Sequence, residues 1–204
     1  GHFPDIAYSI NGRLVTSSYE PLSRESVKSW VFSEGREKVI FKCESSRQGK
    51  GVAIFTKETF SIERIMEMGN GVFQDYIVQH PLFSEISPNS VASLRITTVL
   101  DALGKSEVRA AYLRVGSGND TIVKSASHIR IPIQKETGQF SEKGYTTKWV
   151  EIDRHPNSNF VFANRQIPCY EDCINITTSL HAQFPYAQCI GWDVVVDSKD
   201  HVSI

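Results

Sequence analysis

Charged side chains interrupt otherwise apolar strand patterns at a few places in this sequence. Arg95 breaks the run Ser93-Leu94-Arg95-Ile96-Thr97-Thr98-Val99, and Asp193 breaks Ile190-Gly191-Trp192-Asp193-Val194-Val195-Val196. Lys42 closes the run Val39-Ile40-Phe41-Lys42. A charge taken out of water needs a partner, and the chemistry of each group says which. A guanidinium fork suits a carboxylate or a phosphate, while a carboxylate on a strand takes a cation or a hydrogen-bond donor. Arg109 and Arg114 differ in strand parity and face opposite ways unless a bulge intervenes. For any one arginine, solvent is the default neighbour. For Asp193, a surface place on an edge strand fits the spacing equally well.

Gln48-Gly49-Lys50-Gly51 follows the Lys42 strand and opens the next. A glycine-rich tip lets backbone N–H groups approach phosphate oxygens, with a neighbouring lysine to neutralise charge. The Walker phosphate loop is excluded, because Glu44 and Gly51 stand where a Gly and a Ser/Thr belong. On the pattern alone a solvated hairpin tip is the better reading. Gly116-Ser117-Gly118-Asn119-Asp120-Thr121 half-matches a dinucleotide fingerprint but lacks the last glycine and the following helix, so it reads as a turn. His80, His128, His155 and His181 read as turn or surface residues, and no nucleophile elbow is present. Cys43, Cys169, Cys173 and Cys189 show neither zinc nor disulfide spacing, which points to reduced thiols and a cytoplasmic location.

The elements that must position these groups follow from periodicity. Asn11-Gly12 joins two short strands as a hairpin, and Ser23 to Phe32 reads as a helix capped by Ser23. Strands are expected at 38–42, 51–55 and 72–78, with a helix at Ile62 to Met68. Beyond the loop bracketed by Pro81 and Pro88, strands follow at 93–100, 107–115 and 123–133. Residues 136–160 read as polar loop with a turn at His155-Pro156-Asn157, 170–184 as a helix, and 188–204 as a closing hairpin. A two-residue turn at Ser198-Lys199 puts Asp193 opposite Ile204, so that the second and fourth positions beyond Ile204 share its face. The change of texture near residue 76 divides the chain into a lobe at 1–75 and a lobe at 76–204.

With 204 residues, 22 Lys+Arg against 23 Asp+Glu and 40% apolar residues, the composition is that of a globular protein. A net charge of -1 gives no pull toward nucleic acid. No apolar run approaches the roughly 20 residues of a membrane span. The opening Gly1-His2-Phe3-Pro4, without Met, suggests an excised fragment or a cloning scar.

Taken in order, these pieces resemble the ATP-grasp superfamily, and more closely its sugar-transfer-associated family from polysaccharide biosynthesis. Val78-Gln79-His80-Pro81, Asn89-Ser90-Val91, Ser93-Leu94-Arg95-Ile96-Thr97, Ala111-Tyr112-Leu113-Arg114-Val115-Gly116, Ile131-Pro132-Ile133, His155-Pro156 and Ile190-Gly191-Trp192-Asp193 carry the likeness. The resemblance implies an α+β ATP-grasp fold, C-terminally truncated, with a nucleotide cleft between two α+β lobes. It implies ATP and Mg²⁺ as cofactors: Lys42 on phosphate, Gln48, Gly49, Lys50 and Gly51 folding over the β/γ-phosphates, the backbone of Gln74, Asp75, Tyr76 and Ile77 as adenine hinge, and Asp193 on the metal. Arg95 and Arg114 become the clamp on the phosphoryl group or the substrate carboxylate. The family's Glu-x-Asn metal pair is expected just past the closing hairpin. The implied activity is an ATP-dependent carboxylate–amine ligase acting through an acylphosphate on small, sugar-linked substrates. The alternative is a non-catalytic nucleotide- or partner-binding module that retains the fold.

Overall fold

The structure, a computed structural model, describes residues 2–47, 50–118 and 127–204. Gln48 and Gly49 of the glycine loop lie outside the described residues, as do Asn119 to Thr121 and the first four residues of the strand expected at 123–133. The chain forms two compact units, Phe3–Ile77 and Val78–Ile204, and His2 belongs with the second.

In the first unit the strands are β1 (Asp5–Ile10), β2 (Arg13–Thr16), β3 (Pro21–Leu22), β4 (Lys38–Arg47), β5 (Lys50–Thr56) and β6 (Gly71–Asp75). They form one antiparallel sheet in the order β3-β2-β1-β6-β4-β5. Asn11 and Gly12 take φ of 50° and 75°, the paired left-handed geometry of a tight hairpin turn. Helices α1 (Val27–Val31) and α2 (Ile62–Met68) bury Val27, Val31 and Ile65 against Val39, Phe41, Phe55 and Phe73. Helix α1 is shorter than the pattern predicts, because Ser23 and Ser26 exchange backbone-to-hydroxyl bonds of 3.1 Å that close a turn ahead of it. A register shift between Asp5 and Ala7 lets both Ile6 and Ala7 enter the core. The strand expected at 72–78 stops at Asp75, so Tyr76 and Ile77 follow its end.

The second unit is built on β7 (Ser93–Leu100), β8 (Ser106–Val115), β9 (Ile129–Ile133), β10 (Gly144–Tyr145), β11 (Glu151–Ile152), β12 (Cys189–Val196) and β13 (Val202–Ser203). Their order is β11-β10-β9-β8-β7-β12-β13, antiparallel throughout. Helices α3 (Pro81–Ile86) and α4 (Tyr170–His181) cover one face, where Leu94, Ile96, Leu113, Ile129, Ile131, Phe162 and Val194 form the core. Helix α3 replaces the loop expected between Pro81 and Pro88. Pro81 at its first position needs no amide partner, and the His80 imidazole accepts from the Leu82 amide to cap it.

Two register details matter for the site. A shift between Thr97 and Thr98 bulges β8, so Val108 and Ala111 both contribute to the core and parity no longer separates Arg109 from Arg114. In the closing hairpin Val195 pairs with Ser203 and Val196 with Val202, around a three-residue turn with Asp200 at φ 65°. The two-residue turn predicted from the sequence is therefore off by one: Ile204 falls opposite Val194, not Asp193. Asp193 pairs with Arg95 of β7, while β13 reaches only Val195 and Val196, so among the described residues Asp193 has no strand partner on its other side.

The histidine reading also changes. His128, His155 and His181 are buried. His181 Nε2–H donates to the Ala187 carbonyl at 2.7 Å, leaving Nδ1 to accept from the Thr98 hydroxyl at 2.6 Å. Thr98 Oγ1 in turn accepts from Trp192 Nε1–H at 2.8 Å, so one chain of hydrogen bonds ties α4 to β7 and β12. The four cysteines are all free thiols.

Candidate functional site

In the first unit the helices cover one face of the sheet, and strand alternation sends Lys42, Gln74 and Tyr8 to the other. Asp5 organises this face. It accepts from Gln74 Nε2 at 2.6 Å and from the Tyr8 hydroxyl at 2.9 Å. Burial and the bond to Asp5 push the Tyr8 hydroxyl up to about 12. The Lys42 side chain keeps solvent contact, yet crowding by protein lowers its ammonium from the ordinary lysine range, against a smaller pull from Asp5. Among the described residues Lys42 makes no ion pair. A partly desolvated, unpaired cation on an open sheet face is a fit for phosphate.

Of the expected hinge residues, Asp75 is engaged elsewhere. Its carboxylate takes Arg36 Nε at 2.5 Å, while Arg36 also reaches Glu34 at 2.7 Å. Gln74 and Asp75 are also paired with Ile40 and Val39 of β4, and the Asp75 amide donates to the Pro4 carbonyl at 2.9 Å, which leaves the backbone beyond β6 for any adenine contact. Tyr76 carries the Lys38 ammonium 5.3 Å above its ring. Lys50 opens β5, and Gly51 follows it at φ 80°.

In the second unit the face away from α3 and α4 brings Arg95, Arg114 and Asp193 together. Arg95 and Asp193 are register partners on β7 and β12. Arg95 Nε and Nη2 meet the two Asp193 oxygens at 2.7 and 2.8 Å, and Arg114 Nη2 reaches Oδ2 at 3.5 Å. Arg114 Nε also donates to the hydroxyl of its register partner Ser93 at 3.3 Å. The bond to Asp193 holds the Arg95 guanidinium above its ordinary range, although burial opposes this. Two cations against one carboxylate leave the cluster with a positive surplus.

The same geometry speaks against a metal at Asp193. Both carboxylate oxygens serve the Arg95 fork, and among the described residues no group of three His, Cys, Asp or Glu could hold an ion. As the side chains stand, the residues present do not fit Mg²⁺.

Asp5, Tyr8 and Arg36 escaped the sequence reading. Asp5 carried the signal used for Asp193, an acid beside an apolar strand, but at a strand start this is commonplace. The turn at His155 also proved to have a task. His155 Nε2 donates to the Gly116 carbonyl at 2.8 Å, and Asn157 Oδ1 accepts from the Gly118 amide at 2.7 Å. Two motifs set aside as turns hold each other.

Two antiparallel sheets, each with helices on one face, give the α+β architecture expected of an ATP-grasp protein. The family model for sugar-transfer associated ATP-grasp proteins matches residues 60–204, and the chain belongs to that family. Comparison with curated proteins returns no match. No helix among the described residues is long and apolar enough to cross a membrane.

Proposed function

We propose that this chain is, or is part of, an ATP-dependent carboxylate–amine ligase acting in polysaccharide or sugar-conjugate biosynthesis. The cluster Arg95–Asp193–Arg114 carries the reading: paired guanidinium groups with surplus positive charge on an open sheet face suit an anion in transfer. In this reading a substrate carboxylate oxygen attacks the γ-phosphorus of ATP. The bond to the ADP oxygen breaks, and an amine then displaces phosphate from the acylphosphate to leave an amide. Arg95 and Arg114 hold the phosphoryl group or the attacking carboxylate, and Asp193 keeps both guanidinium groups aimed before substrate arrives. Lys42 neutralises phosphate charge, residues 48–51 cover the phosphates, and the backbone beyond β6, at Tyr76 and Ile77, receives the base. The lobes are taken as 1–75 and 76–204. No step is routed through a metal at Asp193.

The test is isotopic. A carboxylate substrate labelled with heavy oxygen should pass one label to inorganic phosphate during ATP- and amine-dependent turnover. Phosphate released without label would rule out the acylphosphate route. A second reading, a binding module without turnover, is favoured by the closed Arg95–Asp193 pair, and ATP binding with no hydrolysis in the presence of Mg²⁺, carboxylates and amines would select it.

A further inference from the structure

The open face of the second sheet continues past Arg114. Arg114 is the register partner of Arg130 on β9, and Arg130 is the partner of Tyr145 on β10. Directly paired residues share a face, so these side chains form a row that begins at the Asp193 cluster. The row ends at Glu151, the partner of Tyr145 on β11, whose carboxylate meets Lys143 at 3.6 Å, and in the turn between the two strands stands Trp149, 71% exposed. Its φ of 60° is costly for a bulky side chain. The turn that imposes it is closed by the Thr146 amide to the Val150 carbonyl at 3.0 Å and the Trp149 amide to the Thr146 carbonyl at 3.0 Å. A third bond runs from the Val150 amide to Thr146 Oγ1 at 3.2 Å. The Arg130 guanidinium lies 5.2 Å from the indole centroid, and the Tyr145 ring centroid lies 6.1 Å away at 54°.

An indole held out to solvent with the Arg130 guanidinium over one face leaves its other face as an apolar platform, with an anion hold across the rim of the ring. The C–H face of a pyranose stacks on such a platform, and a planar carboxylate matches paired guanidinium forks. We propose that Trp149, Tyr145, Arg130 and Arg114 form a subsite for an acidic pyranose, a hexuronate whose ring stacks on Trp149 and whose carboxylate lies between Arg130 and Arg114. Arg114 touches both this subsite and Asp193, so it can pass the bound carboxylate toward the phosphoryl clamp. The proposal rests on the ligase reading for the choice of a carboxylate over a phosphate.

The test uses the full chain without nucleotide. Methyl glucuronoside, methyl glucoside and glucose phosphate are compared by saturation-transfer NMR and by indole fluorescence. The glucuronoside should bind best. Trp149→Ala should weaken it about fivefold to tenfold, and Trp149→Phe should retain part of the affinity. Arg130→Gln should abolish the preference for glucuronoside over glucoside. Equal binding of acidic and neutral sugars, preference for the phosphate, or indifference to Trp149→Ala would each overturn the subsite. Its failure is separable from failure of the ligase reading: glucuronoside binding without turnover sinks only the ligase, and label transfer from other carboxylates without glucuronoside binding sinks only the subsite.

Discussion

A Cβ at position 191 would fall 2.8 Å from Arg95 Nη1, so the guanidinium lies across β12 only because Gly191 has no side chain. The obstructed atom is the end of a flexible chain, so the fold can absorb the change while the pair with Asp193 cannot. Gly191→Ala should therefore lower stability by less than about 1 kcal/mol. On the proposed role of Arg95 it should also reduce turnover by up to about a hundredfold. Thermal unfolding and ATP turnover on the same sample check this; intact activity would show that the position of Arg95 is immaterial. Lys42→Ala removes one charge-assisted contact to phosphate and should weaken ATP about tenfold to a hundredfold in a titration. An unchanged affinity in the folded variant would remove Lys42 from the site. Both residues stood out in the sequence as charges within apolar strands. That Asp193 is claimed by Arg95 rather than held open for a metal was not visible there, because register decides which side chains meet.

Elements set the geometry around those residues. At Gly71 a Cβ would sit 2.4 Å from the Lys42 carbonyl oxygen and 2.6 Å from Phe41 Cζ. Gly71→Ala should thus spread β4 from β6 and cost about 1–3 kcal/mol, read as a lower denaturant midpoint. The segment Gly116–Gly118 hangs on the turn that carries His155. Desolvation lowers the His155 pKa below its ordinary 6.5, outweighing the bond to Gly116 that favours the charged ring. As pH falls the unfolded chain takes up this proton first, so the His155 contribution is complete above 6.5 and declines below it. Unfolding at about pH 7.5 and about pH 5.5 should show lower stability in acid, with a smaller difference for His155→Gln. Equal slopes in the two proteins would count against it. The long strands and α2 were legible because alternation and the helical period persist over enough residues. Helix α3 was hidden because its prolines looked like loop punctuation, and β10 and β11 because two-residue strands have no period.

At the scale of the molecule, the two units have separate cores, one around Phe41, Phe55 and Phe73 and one around Leu113, Ile131 and Phe162. Phe73→Ala and Phe162→Ala should each cost about 3–5 kcal/mol, and each within its own unit. Hydrogen exchange should show lost protection in β4 and β6 for the first and in β8 and β9 for the second; loss spread evenly over both units would mean a single cooperative core. The order of short motifs along the chain pointed to the family, because each motif marks a local backbone form that needs no distant partner. Composition fixed the net charge at -1, a sum that folding does not alter. Local pattern also placed Arg95, Arg114 and Asp193 on strands. What only tertiary structure decided was pairing. One turn residue more than expected moved Ile204 from Asp193 to Val194, and in any longer chain it would bring the first residue after Ile204 opposite Asp193. A bulge in β8 cancelled a parity argument, and Arg130 and Trp149 became neighbours through two strands unrecognised from sequence. Sheet register is a long-range property: shifting it by one residue turns every side chain to the other face, and no local pattern contains that choice.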